Sequence, residues 1–382
     1  MAPTRRNTED ILARVNFPLY TIQMLSNRHV IVGGGGGSSK TGVANGFRKL
    51  LVNETGGSVV MNCSTFCNSK HSYLVAGQES HCQLYNVNTV LVREEADVEN
   101  IGNNHSEVRQ RKPRAKEKTD NNENIKKKLK FVINPSDSVQ TDFNGPEPLF
   151  RVARINHSGI LLATGGTDGN PTKKEIDDID FSRYDNYLIT IAKDGAAVLW
   201  DCVRGKELKR LTWNQPEGSK YLYKRCRFGI IEGEDKKSIL YMLANPTGVA
   251  KKQKAYLQQW LPEEGSLKRV AEFDESLAAL AVRDDGRFIA VGTMFSGSVS
   301  LFVAFNLQRV LNIAGAHSMF VTGLEFLPAL SENENHTVCS VAEGGCAVHF
   351  GGQPKTMPLW VGMVILIFTL FLTFVFCSYI GL

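Results

Sequence analysis

The stretch HVIVGGGGGSSKTGVANGF, residues 29–47, is where this chain most invites chemistry. Gly34, then after four intervening residues Ser39, Lys40 and Thr41, come within one residue of the G-x-x-x-x-G-K-T loop whose backbone amides cradle phosphates, and four strand-like residues precede it. Ser39 stands where the second glycine belongs, and the glycines and asparagine of GVANGFRKL oppose the helix whose N-terminus would hold the phosphates. Two readings remain: a flexible hairpin tip, or a loop whose backbone carbonyls face inward around a cation and present a small apolar tip. Five successive glycines are costly to order unless something holds them, which is the ground for the hairpin tip and makes the second reading depend on a bound cation. Cys63, Cys67, His71, His81 and Cys82 supply enough ligands for zinc, but SVVMNCSTF reads as a strand, along which they would alternate irregularly, so no zinc site is expected. Asp177-Asp178 and Asp284-Asp285 read as turn residues, and no spacing assembles a Ser/His/Asp or paired-carboxylate hydrolase.

The elements that must carry these residues repeat. FSRYDNYLITIAKDGAAVLWD (181–201), VRDDGRFIAVGTMFSGSVSLFV (282–303) and HTVCSVAEGGCAVHF (336–350) each read strand, polar turn, strand ending in an aromatic. Period-2 alternation, as in Ile189 and Ile191 against Leu188, Thr190 and Ala192, makes the body all-β. Closing aromatics at Tyr85, Trp200, Trp260, Phe302 and Phe350 bracket a unit of about 40 to 45 residues, which buries both faces of its sheet only by stacking radially in a β-propeller, and the folded length holds seven such units. Trp200-Asp201 is the dipeptide of the WD-repeat family and Ala316-His317 resembles its Gly-His position. That resemblance gives His317, Asp168 and Asp194 scaffold hydrogen bonds and predicts a seven-bladed WD-repeat propeller. One blade is expected to be truncated, because only 26 residues separate Asp168 from Asp194 and TGGTDG runs into NPTKKEIDDIDFS without a closing strand, as a splice variant or gene-model error would leave it.

Charge is distributed unevenly. The net charge of +5 arises from ten Lys or Arg against three acidic residues between Arg109 and Lys130, within a segment 93–130 that reads as a disordered, basic, solvated insertion, with nuclear import or nucleic-acid binding the alternative. The stretch 358–382 holds no Asp, Glu, Lys, Arg, His or Asn. It is long enough to cross a bilayer as a single C-terminal transmembrane helix. The first residues lack the apolar run of a signal peptide, so 1–355 is expected as a cytosolic β-propeller with its tail in a membrane, and the eight cysteines as free thiols.

The glycine run, the Lys-Thr-Gly that follows it and the opening NFPLY then resemble the endoplasmic-reticulum-resident exchange factors for the Sar-type small GTPase. AGQESHCQLY (76–85), VQTDF (139–143), YKRCRFG (223–229), GSVSLFVAFNLQ (297–308) and the apolar tail agree, so the resemblance covers nearly the whole chain. It implies GDP release from that GTPase at the ER membrane, which initiates COPII vesicle formation, without covalent chemistry. It also implies a potassium ion organising the loop through backbone carbonyls of Gly33, Gly34, Gly35, Gly36, Gly37 and Gly42, with Val43 as the GTPase contact and Asn45 at the loop's base. Val43 replaces the isoleucine of some members by one methylene less, which tunes affinity and does not abolish it. A tail-anchored scaffold without exchange activity and a DNA-binding regulator are the competing readings.

Overall fold

The computed structural model describes residues 11–15, 17–26, 29–36, 46–48, 52–54, 59–68, 70–93, 127–143, 150–167, 175–231, 234–248, 253–328, 336–342 and 345–351. Every helix or strand among them is a strand. The expected anchor at 358–382, most of the basic insertion and Asp168 lie outside the described residues, among which no helix is long and apolar enough to cross a membrane.

The chain opens with β1 (Ile11–Arg14) and then lays down sheets in succession. The first holds β2 (Leu19–Ser26), β3 (His29–Gly34), β4 (Gly46–Arg48) and β5 (Val52–Glu54); the second holds β6 (Val60–Cys67), β7 (Ser72–Gln78), β8 (His81–Arg93) and β9 (Lys127–Gln140). The third has only β10 (Phe150–Ile155) and β11 (Leu162–Gly166). The fourth follows with β12 (Ile176–Phe181), β13 (Tyr187–Ala192), β14 (Ala197–Asp201) and β15 (Lys206–Leu211), and the fifth with β16 (Tyr221–Ile231), β17 (Glu234–Pro246), β18 (Ala255–Leu261) and β19 (Ser266–Phe273). The sixth contains β20 (Leu277–Val282), β21 (Phe288–Thr293), β22 (Val299–Val303) and β23 (Gln308–Ile313). The last combines β24 (Gly323–Phe326), β25 (His336–Ala342) and β26 (Gly345–Gly351) with β1 from the other end of the chain.

All pairings are antiparallel, and the leading strands pack in sequence, β2 on β6, β6 on β10, then β12, β16, β20 and β24, which returns to β2. The described residues therefore form a β-propeller of six four-stranded sheets and one two-stranded sheet. The middle strands are buried on both faces. In β13, Ile189 and Ile191 face one apolar layer with Trp260 and Leu240, while Leu188 packs on Ile176 and Ile179 in another. The outer strand β15 exposes Lys206, Glu207 and Leu208, a charged rim that blunts edge pairing.

The truncation goes further than the spacing predicts. One strand was expected to be missing, but among the described residues the third sheet lacks both outer strands, because Ile176 already begins the innermost strand of the next sheet. The expected insertion is also shorter at both ends: Val90–Arg93 of β8 pair with Lys127–Lys130 of β9, extending a hairpin before the described chain breaks off.

Trp200 shows how the repeat signature holds a sheet together, its indole N–H donating to Thr190 Oγ1 at 2.9 Å, from β14 to β13. Trp200→Phe and Thr190→Val should each lower the stability to thermal or chemical denaturation by about 1 to 2 kcal/mol, with the double substitution adding little, because one bond is lost in all three.

Candidate functional site

Six of the seven innermost strands carry a register irregularity one to three residues after they begin, at Leu19/Thr21, Val60/Asn62, Phe150/Val152, Ile176/Asp178, Tyr223/Arg225 and Leu277/Ala279. A bulge re-aims the side chains beside it. Repeated around the ring, it turns Tyr20, Met61, Arg151 and Asp177 toward an axial cavity of about 90 Å³.

The glycine-rich loop leaves the ring at this same end. β3 runs antiparallel to β2, so Gly34 lies opposite Leu19, at the start of β2. Gly33 and Gly34 are ladder residues held between β2 and β4, opposite Thr21 and Leu19 on one side and Phe47 and Gly46 on the other. A Cβ on Gly34 would sit 1.8 Å from the carbonyl oxygen of Pro18, so only glycine fits. Gly35 donates its N–H to the same oxygen at 3.0 Å with φ +145°, a conformation side chains disfavour. The first glycines are thus the anchored base of the loop; Gly37, Gly42, Val43 and Asn45 lie outside the described residues.

Beneath this rim the channel is closed by charge, which the sequence reading missed. Asp177 and Asp178, expected in a turn, lie inside β12, and Asp178 is buried. Arg227 donates to the Asp178 carboxylate at 2.6 Å and the Cys226 N–H to the same oxygen at 3.1 Å; Asp180 accepts from the Phe228 N–H at 2.7 Å and lies 3.7 Å from Arg154 Nε. Burial pushes the Asp178 carboxyl up, but the guanidinium of Arg227, aided by Arg225 and Arg154, outweighs it and holds Asp178 below the usual range. At Asp180 burial wins over Arg227 and Arg154 and the carboxyl is raised. Glu325, accepting from Gln23 Nε2 at 3.1 Å, is pushed up to about 7 by burial, against Arg154 and Arg227 and with Asp180 and Asp284 adding repulsion. The readable signal was like charge at i and i+2, Asp178 with Asp180 and Arg225 with Arg227, a strand face aimed at an opposite charge.

The remaining chemistry-bearing residues are structural. His317 Nε2 lies 2.7 Å from Ser340 Oγ, itself 2.7 Å from His349 Nε2, a relay across the last sheet, and Asp194 accepts from the Ala196 N–H at 2.9 Å within its turn. Asp285 caps its turn through the Arg287 N–H at 3.0 Å, as expected of a turn residue. Cys63 and Cys82 face different apolar layers, and burial pushes both thiols up to about 12, far from a nucleophilic thiolate. No cluster of three or more His, Cys, Asp or Glu placed to hold a metal occurs among the described residues.

Two outcomes follow for the rim and the channel. The folded chain holds the Glu325 proton more tightly than the unfolded chain, so this group's contribution is whole below about pH 4.5 and is lost as pH rises through about 7. Melting temperature should therefore fall across that interval, and Glu325→Gln should flatten the fall and raise the melting temperature at pH 8 by a few degrees. Gly34→Ala, forced against the Pro18 backbone, should lower stability by about 1 to 3 kcal/mol, read from denaturant unfolding.

No family model matches the chain. Among curated proteins it is 29% identical over 411 aligned residues to the guanine nucleotide-exchange factor SEC12 of Mus musculus, covering 94% of each chain. It is 28% identical over 403 residues to the protein of that name from Rattus norvegicus, again over 94% of both. The chain, a propeller that anchors the base of its glycine-rich loop on the axial rim, is thus similar from end to end to the SEC12 guanine nucleotide-exchange factors.

Proposed function

We propose that the protein is a guanine nucleotide-exchange factor that promotes GDP release from a Sar-type small GTPase at the endoplasmic reticulum membrane and so starts COPII coat assembly for ER-to-Golgi transport. The similarity to SEC12 along 94% of the chain carries this reading, and the anchored loop base supports it. The chemistry is non-covalent. A factor that binds the nucleotide-free GTPase more tightly than the GDP-bound form must, by linkage, weaken GDP affinity in the complex by the same factor. What the propeller supplies is a held base: Gly35 donates to Pro18 O, and Gly34 lies so close to that oxygen that no side chain fits, so the root from which the loop departs is fixed.

In this reading Val43 is the inserted apolar contact, Asn45 steadies the loop's base, and a potassium ion is taken by backbone carbonyls of Gly33, Gly34, Gly35, Gly36, Gly37 and Gly42. Glycines offer a cation carbonyl oxygen alone, a donor suited to hard cations of this kind. That Gly33 and Gly34 are ladder residues at the loop's root is consistent with this reading. The segment 358–382 would hold the protein in the membrane with the propeller on the cytosolic side.

The test is release of a fluorescent GDP analogue from a Sar-type GTPase, with the full-length protein in liposomes and potassium buffer. Wild type should accelerate release, and Val43→Asp, which puts an unpaired charge into an apolar contact, should reduce the acceleration at least tenfold, about 1.4 kcal/mol. A folded wild-type protein that leaves release unchanged would instead be a scaffold.

A further inference from the structure

Two neighbouring loops at the rim expose large apolar side chains on unusually fixed backbone. Phe295, between β21 and β22, is 73% exposed, and Met319 and Phe320, in the segment leading to β24, are 43% and 42% exposed. The turn beneath Phe295 is tied down: Glu275 accepts from the Phe295 N–H at 3.1 Å, the Ser296 N–H at 2.9 Å and the Ser296 hydroxyl at 2.5 Å, and the Met294 N–H donates to Ser276 O at 2.8 Å. Gly297, at φ +60°, carries the two loops against each other. A Cβ there would fall 2.3 Å from His317 O and 2.5 Å from Met319 O, and the His317 N–H donates to Gly297 O at 2.9 Å. An aromatic ring on a rigid stalk loses little entropy on docking, which is the character of an interface anchor. The Glu275 carboxylate is turned to the backbone amides, so the platform presents apolar surface.

The platform is continuous with the root of the glycine-rich loop. The Val321 N–H donates to Thr293 O at 3.2 Å, Thr322 Oγ1 donates to Leu19 O at 2.7 Å, and Pro18 O receives Gly35. Thr293 lies opposite Leu277 as Gly34 lies opposite Leu19, so both loops leave the same end of the ring. From this we infer that Phe295, Met319 and Phe320 form a second docking platform for the GTPase, engaging an apolar patch on it beside the glycine-rich loop and setting its orientation over that loop. The inference rests on the exchange-factor reading above.

Phe295→Asp and Phe320→Asp, each exposed and each checked for an unchanged melting temperature, are compared with wild type in the full chain, for binding of the nucleotide-free Sar-type GTPase and for GDP release. Phe305→Asp is the control: Phe305 is also 73% exposed, but it sits on the turn between β22 and β23, at the opposite end of the ring. Binding and release weakened about tenfold or more by the first two and unchanged by Phe305→Asp are expected. Unchanged binding in both, with wild type active, overturns the platform and leaves the exchange reading standing. Wild type inert toward the GTPase overturns both. If the two variants abolish self-association of the chain while exchange is unaffected, the platform's occupant is a second copy and the inference is likewise overturned.

Discussion

Closure of the ring is the constraint on which everything else depends. A sheet such as β12 to β15 is apolar on both faces in its middle strands, so it is stable only between two neighbours, and a row of such sheets has exposed ends unless it bends back on itself. Here the first and last elements meet in one sheet, with Ala13 opposite Cys346 and Arg14 opposite Gly345. The strand from the chain's start fills the outer place that β24 to β26 leave empty, and the leading strands β24 and β2 are then brought together. Because entropy of closure grows only logarithmically with length, a join across the whole chain is tolerable once the apolar layers between sheets are formed.

That constraint also explains how a two-stranded third sheet is accommodated. A sector needs its innermost strand in place for the ring to remain closed; its outer strands contribute burial but not continuity. β10 is gripped on one side by Phe150, fully buried and so close to Gly77 that a Cβ there would lie 1.9 Å from its ring. On the other side Arg151 reaches Glu175 at 3.1 Å and Asp177 at 3.5 Å, Arg154 faces Asp180, and Asp185 accepts from the N–H groups of His157 and Ser158, both at 2.9 Å. Buried ion pairs add little net stability when intact, since desolvation offsets attraction, yet breaking one leaves an uncompensated charge. They therefore act here as registration devices: β10, β12 and β16 fit together in one way, with Asp178 and Asp180 facing Arg154 and Arg227.

The sequence made the repeat legible wherever a residue's role was local. Alternation in YLITIA, the turn glycine of AKDGAA and the Trp200-Asp201 pair each describe a strand or turn without reference to distant partners, and they led to the correct strands and to the propeller. What stayed hidden depended on partners far along the chain. Asp177-Asp178 resembled a turn because nothing nearby neutralises them; the compensating Arg227 lies in the next sheet. The pairing of β1 with β26 left no local trace, and that the third sheet has two strands fewer among the described residues, not one, follows only from Ile176 being innermost in the next sheet. Within the glycine run, composition does not separate the ladder residues Gly33 and Gly34 from those that follow, since the distinction lies in the close approach of Pro18.

The same geometry accounts for why the loops proposed for recognition gather at one end. In an antiparallel four-stranded unit, the link to the next innermost strand and the turn between the second and third strands emerge together where innermost strands begin. Loops from adjacent sectors can therefore be joined by hydrogen bonds, as Val321 is to Thr293 and Thr322 to Leu19. The charged cluster of Arg154, Asp178, Arg227 and Glu325 lines the axial cavity below them, so that end of the ring presents a polar floor. With sheets and cluster fixing position, the chemistry of the rim is set by few residues, and glycine at Gly34, Gly35 and Gly297 allows the backbones beneath them to approach closely enough for neighbouring loops to act as one surface.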